Sequence, residues 1–371
     1  MSHAVTLIPG DGIGPELMRA ARRAIEATGV AIAWDLQPAG ADQIATEGTP
    51  LPQRVIDSLR RTGVGLKGPL TTPIGTGFRS VNVTLRATLD LYANVRPART
   101  FPGIRNAVPG VDLVIVRENT EDLYAGIEFE RGSPALDALR ALVQRTTGQT
   151  IRADAAVSLK PISELGSRRI VRFAFEYARA NGRRRVTAVH KANIMKATDG
   201  LFLAVAREEA AHHPDIAFDE AIVDALCMRL VQRPQEFDVL VLPNLYGDIV
   251  SDLAAGLVGG LGVAPGANLG ADIAVFEPVH GSAPQFAGLG LMNPMALMLS
   301  GAMMLHHLGE SDAAARLERA VARVLADGRA VTRDVKAPGE ESLAVGTEAM
   351  TDAVVAAMTQ PDALAARAQV G

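Results

Sequence analysis

Short apolar runs alternate with stretches of helical periodicity along this chain. Five such runs are Val5–Ile8, Ile32–Leu36, Asp112–Val116, Val186–His190 and Val239–Leu242. Helical stretches lie between them, as in SRRIVRFAFEYARANG, which repeats apolar residues at helical spacing and ends at a glycine. Strands that alternate with helices predict an α/β fold with a largely parallel sheet.

The run Val5–Ile8 leads into a glycine-rich turn, VTLIPGDGIGPELMRA. Pro15 stands where the first helical residue is expected, because its missing N–H is not needed there. The dinucleotide-binding fingerprint G-x-G-x-x-G would need a glycine at that same position. The turn therefore does not match the fingerprint.

Residues 287–309 contain no Asp, Glu, Lys or Arg, as a membrane span would. Asn293–Pro294 is a helix-start signal, which leaves an apolar helix of about 13 residues. A bilayer requires about 20 residues. We therefore expect a buried core helix and no membrane-spanning segment.

Composition and charge restrict the class of protein. A length of 371 residues predicts two structural units, and 48% hydrophobic with 21% charged residues is typical of a soluble globular protein. The formal net charge of -4 gives no reason to expect binding to nucleic acid. The single cysteine, Cys227, excludes an intrachain disulfide and favours a reducing compartment. Because no signal-peptide pattern precedes the first strand, we expect a cytoplasmic protein.

Two arginines with neighbouring polar residues are candidates for binding a substrate. Arg86 and Arg96 flank a predicted helix, and Ser80 and Asn82 precede it in a glycine-containing loop, residues 74–80. Arginine binds carboxylates through two parallel hydrogen bonds, so this group predicts a polycarboxylate pocket. Surface arginines beside a capping serine and asparagine are the alternative.

Polar side chains also follow two predicted strands. Arg117 ends an apolar strand, Tyr124 follows it after an acidic turn, and Lys191 comes directly after Val186–His190. Open α/β sheets bind their ligands at the carboxyl ends of the strands. Lys191 is therefore a functional candidate.

Three aspartates form an acidic group: Asp224, then Asp248 and Asp252. The last two stand at i and i+4, so a helix beginning near Tyr246 would place both on one face. Two carboxylates there repel unless a positive charge lies between them, and Mg²⁺ or Mn²⁺ would supply it. Asp248 could alternatively favour only the helix N-terminus, which would leave Asp252 unexplained.

Together these stretches, from LIPGDGIGPE to VTRDV near residue 335, resemble the β-decarboxylating dehydrogenases, which include isocitrate, 3-isopropylmalate, homoisocitrate and tartrate dehydrogenases. The resemblance implies a two-lobed α/β fold of the isocitrate/isopropylmalate dehydrogenase type, with a mixed, largely parallel sheet, and not a Rossmann fold. It implies a large cofactor-binding lobe, residues 1–98 and 255–371. A small lobe, residues 99–254, would carry the dimer interface and a clasp near 135–165.

The resemblance also implies a role for each matching position. The substrate-binding residues would be Ser80, Asn82, Arg86, Arg96 and Arg117. Lys191 and Tyr124 would transfer protons, with the pKa of Tyr124 lowered by Lys191 and the metal. The ligands of Mg²⁺ or Mn²⁺ would be Asp224, Asp248 and Asp252. The cofactor-binding residues would be Thr72, His280, Gly281, Ser282, Ala283, Gln285, Phe286 and Asn293. The protein would be a homodimer in which Lys191 and Asp224 act across the interface.

Ser80 and Asn82 favour isocitrate as the substrate, because they can hydrogen-bond a third carboxylate and suit an isopropyl group poorly. The implied reaction is the oxidative decarboxylation of isocitrate to 2-oxoglutarate and CO₂. Homoisocitrate, 3-isopropylmalate or a broad specificity is the alternative within the family. A non-catalytic regulatory subunit is a further alternative, although Tyr124, Lys191 and the three aspartates argue against it.

The cofactor is expected to be NAD. NADP-dependent relatives place Lys and Tyr where this chain has Gln285 and Phe286, and Tyr and Arg where it has Arg333 and Ala337. None of those partners of a 2′-phosphate is present, although Arg333 leaves NADP as the alternative. Residues 336–346 depart from the family pattern and are predicted to form a surface loop.

Overall fold

A computed structural model describes residues 2–72, 80–104 and 106–359. The strands in this part are β1 (His3–Ile8), β2 (Ile32–Leu36), β3 (Val64–Lys67), β4 (Ala93–Arg99), β5 (Asp112–Glu118), β6 (Glu128–Phe129), β7 (Val157–Ser158), β8 (Arg185–His190), β9 (Ala217–Ile222), β10 (Val239–Leu242), β11 (Pro265–Leu269) and β12 (Ala274–Pro278). The α-helices are α1 (Gly14–Glu26), α2 (Gln43–Glu47), α3 (Gln53–Thr62), α4 (Val81–Thr88), α5 (Pro134–Thr147), α6 (Glu164–Ala180), α7 (Thr198–Ala210), α8 (Val223–Gln232), α9 (Asn244–Leu257), α10 (Met295–His307), α11 (Ser311–Asp327) and α12 (Thr347–Met358).

Ten of these strands form one mixed sheet in the order β2-β1-β3-β12-β11-β4-β5-β10-β8-β9. Neighbours are parallel except at the centre, where β4 is antiparallel to β5 and β11, and β11 is antiparallel to β12. The expected mixed, largely parallel sheet is thus confirmed. Strands of the two predicted lobes meet at the β4–β5 pair, but the lobe boundaries themselves stay predictions.

All five predicted runs are strands, namely β1, β2, β5, β8 and β10. The apolar pattern missed β3, β4, β9, β11 and β12. Four of these carry charged side chains: β3 (VGLK), β4 (ANVRPAR), β9 (AFDEAI) and β12 (AVFEP). In β4, the charged side chain of Arg96 reaches the cluster described below.

Local signals account for several helix boundaries. Pro15 lies in the first turn of α1, as expected. The hydroxyl of Ser163 caps α6 by accepting the Gly166 N–H at 2.9 Å. The apolar helix α10 begins after Pro294, is 13 residues long and is mostly buried. No helix within the described ranges is long and apolar enough to cross a membrane.

One local expectation was wrong. Arg86 lies inside α4 and Arg96 on β4, because the chain leaves the helix at a turn where Asp90 has a φ of 45°. Arg183, which lies shortly before β8, is half-buried. It donates to Asp112 at 2.6 Å and to Asp238 at 3.1 Å, since the adjacent strands β5, β10 and β8 begin beside one another.

The predicted glycine-containing loop falls almost wholly on residues 73–79, outside the described part. The segment 336–346 is largely exposed, in agreement with a surface loop.

Candidate active site

Arg117 lies at the centre of a cluster of charged side chains at the carboxyl end of β5. Its guanidinium is only 1% exposed, donates from NH1 to Asp248, and donates from Nε and NH2 to Asn244 Oδ1 at 3.0 and 2.7 Å. Gly247 is required for this approach, because a Cβ there would stand 2.5 Å from Arg117 Cγ. The lack of a side chain thus lets α9 pack directly against the arginine.

The two aspartates on α9 share one face, as their spacing predicted. Arg96 NH1 lies 3.3 Å from Asp248 Oδ1, 3.7 Å from Asp252 Oδ1 and 2.6 Å from Ser251 Oγ. In this structure the positive charge beside both carboxylates therefore comes from Arg96. The sequence alone left that charge to a metal ion.

Burial and charge shift these groups in different directions. Burial, together with the Arg96 and Arg86 charges, lowers the pKa of Arg117 to about 10, although the Asp248 carboxylate opposes the shift. Burial acts to raise the pKa of Asp248, but Arg117 and Arg96 outweigh it and the net shift is downward. Burial raises the pKa of Asp252. The Asp248 carboxylate is thus held ionised, while the negative charge of Asp252 is less well compensated by the neighbouring arginines.

The hydroxyl of Tyr124 donates to Asp248 Oδ2, and the Arg117 guanidinium carbon lies 4.8 Å from the centre of the tyrosine ring. Burial raises the pKa of this phenol, and its hydrogen bond to the Asp248 carboxylate raises it further. The lowering expected from Lys191 and the metal concerns a site assembled from two chains, and it stays a prediction. A phenol that donates to an anion keeps its proton more strongly.

Arg86 binds a buried carboxylate that the sequence reasoning missed. Its NH2 group donates to Glu277 Oε1 at 3.0 Å, and Lys67 Nζ lies 2.5 Å from Glu277 Oε2. Asn268 Nδ2 also donates to Glu277 at 2.6 Å. Burial opposes ionisation, but Lys67 and Arg86 hold the pKa of Glu277 well below its usual range. The available sequence signal was a charged residue in each of two otherwise apolar strands, Lys67 in β3 and Glu277 in β12.

The residues expected to choose the substrate lie at the start of α4. The hydroxyl of Thr72 donates to Ser80 Oγ at 3.0 Å. The side-chain oxygen of Asn82 is buried and has no hydrogen-bond partner within the described ranges. Such an atom is costly unless a ligand or a water satisfies it.

Lys191 and Asp224 form a separate pair, with Nζ 2.5 Å from Oδ1. The bond from Lys191 lowers the pKa of Asp224, whose side chain is 68% exposed. Among the described residues, no group of three His, Cys, Asp or Glu side chains could hold a metal ion. Asp224 therefore does not join Asp248 and Asp252 within one chain.

The glycine-rich turn packs against the predicted cofactor loop. The Ile13 N–H donates to Ser282 O at 2.9 Å, and a Cβ on Gly12 would stand 2.1 Å from that same oxygen. Asp11, a residue not predicted, accepts the Thr71 N–H at 2.8 Å. The Thr71 hydroxyl in turn bonds the Ser282 hydroxyl at 2.8 Å. These contacts hold the predicted cofactor loop against the glycine-rich turn, which does not match the dinucleotide fingerprint.

Within that loop, His280 Nε2 is buried without a hydrogen-bond partner in the described part of the chain, and burial lowers the pKa of this imidazole. Gly281 borders open space, since a Cβ there meets no atom within 4 Å. Ala283 has a φ of 36°, while Gln285 and Phe286 are exposed.

Asn293 is already engaged on both sides of its amide. It donates from Nδ2 to Asp334 at 2.9 Å and accepts the Met295 N–H at 3.0 Å, which caps α10. The amide therefore links the start of α10 to the turn at Asp334.

Comparison with known proteins agrees with this geometry. The family model described as isocitrate/isopropylmalate dehydrogenase matches residues 4–354. The probable mitochondrial isocitrate dehydrogenase (NAD) subunit alpha of Caenorhabditis elegans is 50% identical over 339 residues, which cover 90% of this chain and 88% of that protein. The mitochondrial isocitrate dehydrogenase (NAD) catalytic subunit 5 of Arabidopsis thaliana is 46% identical, with coverage of 89% and 83%. The crystal structure of isocitrate dehydrogenase from Methylococcus capsulatus has a TM-score of 0.87 at 53% identity, and covers 96% of this chain and 100% of that one.

These relatives overturn the expected cytoplasmic location. Both curated relatives, at 50% and 46% identity, are named as mitochondrial proteins. A single cysteine excludes an intrachain disulfide in any compartment, so it could not tell the two locations apart.

The sequence matches extend over nearly the whole described chain, including the strands of the sheet and the buried arginines. A family model that spans residues 4–354 includes every side chain of the charged cluster and of the cofactor loop. The chain belongs to the isocitrate/isopropylmalate dehydrogenase family.

Proposed function

We propose that this protein catalyses the metal-dependent oxidative decarboxylation of isocitrate to 2-oxoglutarate and CO₂, with reduction of NAD. The observation that carries the proposal is the set of three arginines Arg86, Arg96 and Arg117, each at most 9% exposed and each bound to a carboxylate. Buried arginines of this kind suit a small polycarboxylate. The relatives named as NAD-linked isocitrate dehydrogenases support the same reaction.

The substrate would bind with its carboxylates against the three arginines. Ser80 and Asn82 would bind the third carboxylate, which distinguishes isocitrate from a substrate with an isopropyl group. The Ser80 hydroxyl and the Asn82 Nδ2 group can donate to that carboxylate. The buried Asn82 side-chain oxygen, which has no hydrogen-bond partner in the described ranges, would accept from a ligand O–H group.

Proton transfer falls to Tyr124 and Lys191. Oxidation removes the proton of the substrate hydroxyl, and we assign its removal to Lys191 from a second copy of the chain. Loss of CO₂ then leaves an enolate that must be protonated on carbon. Tyr124 suits this step because its hydroxyl keeps its proton at neutral pH, and positive charge from the partner's Lys191 and a bound cation would make it a stronger acid.

The side chains fit both a divalent cation and a nicotinamide cofactor. Asp248 and Asp252 offer oxygen ligands of the kind Mg²⁺ and Mn²⁺ prefer, and burial leaves Asp252 poorly compensated. Within the described part of the chain His280 Nε2 is buried without a hydrogen-bond partner, and this nitrogen and the open space at Gly281 suit a cofactor on that loop. When bound, NAD would accept the hydride and the cation would supply positive charge at the substrate oxygens.

NAD is favoured over NADP because the positions that match the phosphate-binding residues of NADP-dependent relatives offer few groups to hold a 2′-phosphate. Gln285 and Phe286 carry no charge, and Ala337 is buried and apolar. Arg333 is exposed and is the remaining cation at the matching positions.

We also infer that two copies share their sites. Asp224 lies on a face of α8 with Met228 and Val231, which are 54% and 59% exposed. Ile249, next to Asp248, is 55% exposed, and Ile194, near Lys191, is 69% exposed. Large apolar side chains on this surface favour burial against a second copy. That packing would bring Asp224 and Lys191 to the partner's Tyr124 and aspartates.

The reaction is tested by initial rates of nicotinamide reduction with Mg²⁺ or Mn²⁺. Isocitrate, homoisocitrate and 3-isopropylmalate are each paired with NAD and NADP. We expect the highest kcat/KM with isocitrate and NAD. A preference for NADP would instead implicate Arg333, and the absence of turnover with every pair would favour the regulatory-subunit alternative.

Shared sites are tested with hybrids of two tagged variants, Tyr124→Phe and Lys191→Gln. Each variant alone should be nearly inactive. The purified hybrid should regain activity, because one of its sites would contain both intact residues. A hybrid no more active than its parents would refute sharing.

A further inference from the structure

Asp122 combines complete burial with an unusual backbone conformation. It is the first residue of the 3-10 turn Asp122–Ala125, is 0% exposed and has a φ of 68°. Residues other than glycine rarely adopt this left-handed conformation, although Asp and Asn tolerate it best. A persistent conformation of this kind requires compensating contacts.

Its carboxylate makes those contacts. Oδ1 accepts the Leu123 N–H at 2.8 Å, and Oδ2 accepts the Leu245 N–H at 2.9 Å. Leu245 lies in the first turn of α9, and the N-cap residue of that helix, Pro243, provides no side-chain cap. The carboxylate therefore caps the helix from a segment more than a hundred residues away, and its negative charge suits that helix end.

Two further contacts hold the same segments together. Asn244 Nδ2 donates to Glu121 O at 3.2 Å, and the Asp122 N–H donates to Pro161 O at 3.0 Å. Lys160 Nζ lies 4.0 Å from Asp122 Oδ1 and supplies a nearby positive charge. The turn is thus bound to the amino end of α9 and to the chain before α6.

We propose that Asp122 is a positioning residue. Its carboxylate binds the turn that carries Tyr124 to helix α9, which carries Asp248, and so fixes the Tyr124 hydroxyl against Asp248. Tyr124 follows Asp122 by two residues, and Asp248 follows Leu245 by three, nearly one helical turn. Tyr124 and Asp248 therefore each lie within three residues of a backbone N–H that donates to the Asp122 carboxylate. The proposal rests on the proton-donor role proposed above for Tyr124.

The test compares Asp122→Gly and Asp122→Asn, each alone and combined with Tyr124→Phe. Asp122→Gly keeps the backbone conformation accessible and removes the carboxylate. We expect it to lower kcat by about 10²-fold, with a smaller change in the KM for isocitrate, because a displacement of about 1 Å has that effect on reaction rates. Asp122→Asn retains one acceptor and should recover part of the loss.

The double variant provides the readout that a merely structural role would not change. If Asp122 acts through Tyr124, then adding Asp122→Gly to Tyr124→Phe should lower kcat little further. Multiplicative losses would overturn the proposal. Asp90→Gly is the matched control, since exposed Asp90 also has a positive φ, and it should leave kcat unchanged.

Crystal structures of wild type and Asp122→Gly separate this proposal from the proposed reaction. We expect the tyrosine hydroxyl to leave Asp248 in the variant, whichever substrate the protein uses. An unchanged tyrosine–aspartate contact would overturn the positioning role, even if isocitrate is confirmed as the substrate.

Discussion

Replacement of Glu277 by glutamine should destabilise the protein severely while changing its shape little. The carboxylate is 7% exposed and lies between Lys67 Nζ at 2.5 Å and Arg86 NH2 at 3.0 Å. Glutamine can still bond Asn268, but it leaves two buried cations without their counterion.

The magnitude follows from this burial. Removal of one partner from a buried ion pair costs about 3–5 kcal/mol, because the remaining charge is uncompensated. Two cations lose the same carboxylate here, so we expect a loss near the upper end, about 5 kcal/mol. Total stabilities of folded domains are only about 5–15 kcal/mol. The variant should therefore be marginal at best.

The effect should also depend on pH. Lys67 and Arg86 depress the folded-state pKa of Glu277 below its ordinary value of 4.5. A depressed pKa stabilises the protein fully above the unfolded value, and this stabilisation is lost as the pH falls through the folded value. The difference between wild type and Glu277→Gln should be constant above pH 4.5 and should shrink below it.

Urea unfolding followed by circular dichroism, at neutral pH and below pH 4.5, measures both effects. Glu220→Gln is the matched control. Glu220 pairs with Arg207, and their side chains are 39% and 58% exposed, so this substitution should cost no more than about 1 kcal/mol. The reasoning is refuted if Glu277→Gln costs no more than this control, or if its cost grows in acid.

Three substitutions test the proposed site. Tyr124→Phe removes the proposed proton donor and should lower kcat by about 10²-fold or more with little change in the KM for isocitrate; an unchanged kcat in steady-state rates would exclude the role. Ser80→Leu should lower kcat/KM for isocitrate by about 10²-fold, because the third carboxylate would face an apolar side chain; equal rates with isocitrate would contradict the assignment. Gly12→Ala should raise the KM for NAD about tenfold, since its Cβ would stand 2.1 Å from Ser282 O and displace the cofactor loop. Gly29→Ala also has a positive φ but meets no atom within 4 Å, so it should leave that KM unchanged.

The sequence by itself determined the features that depend on neighbours along the chain. Apolar runs identified β1, β2, β5, β8 and β10, because burial on a parallel sheet imposes continuous hydrophobicity. The four-residue spacing of Asp248 and Asp252 placed both on one helical face, since that spacing nearly equals one turn. The missing third glycine of the N-terminal turn excluded the dinucleotide fingerprint.

Only the tertiary structure decided the charge balance of the site. Arg96 stands beside Asp248 from a strand about 150 residues earlier, and Glu277 binds Lys67 and Arg86 from the far side of the sequence. The pKa of Tyr124 is raised in the single chain, because the phenol is buried and donates to Asp248. Periodicity is a property of local backbone geometry and can be seen in a single segment. Electrostatic energy and desolvation depend on distances between segments, which exist only once the sheet has brought those segments together.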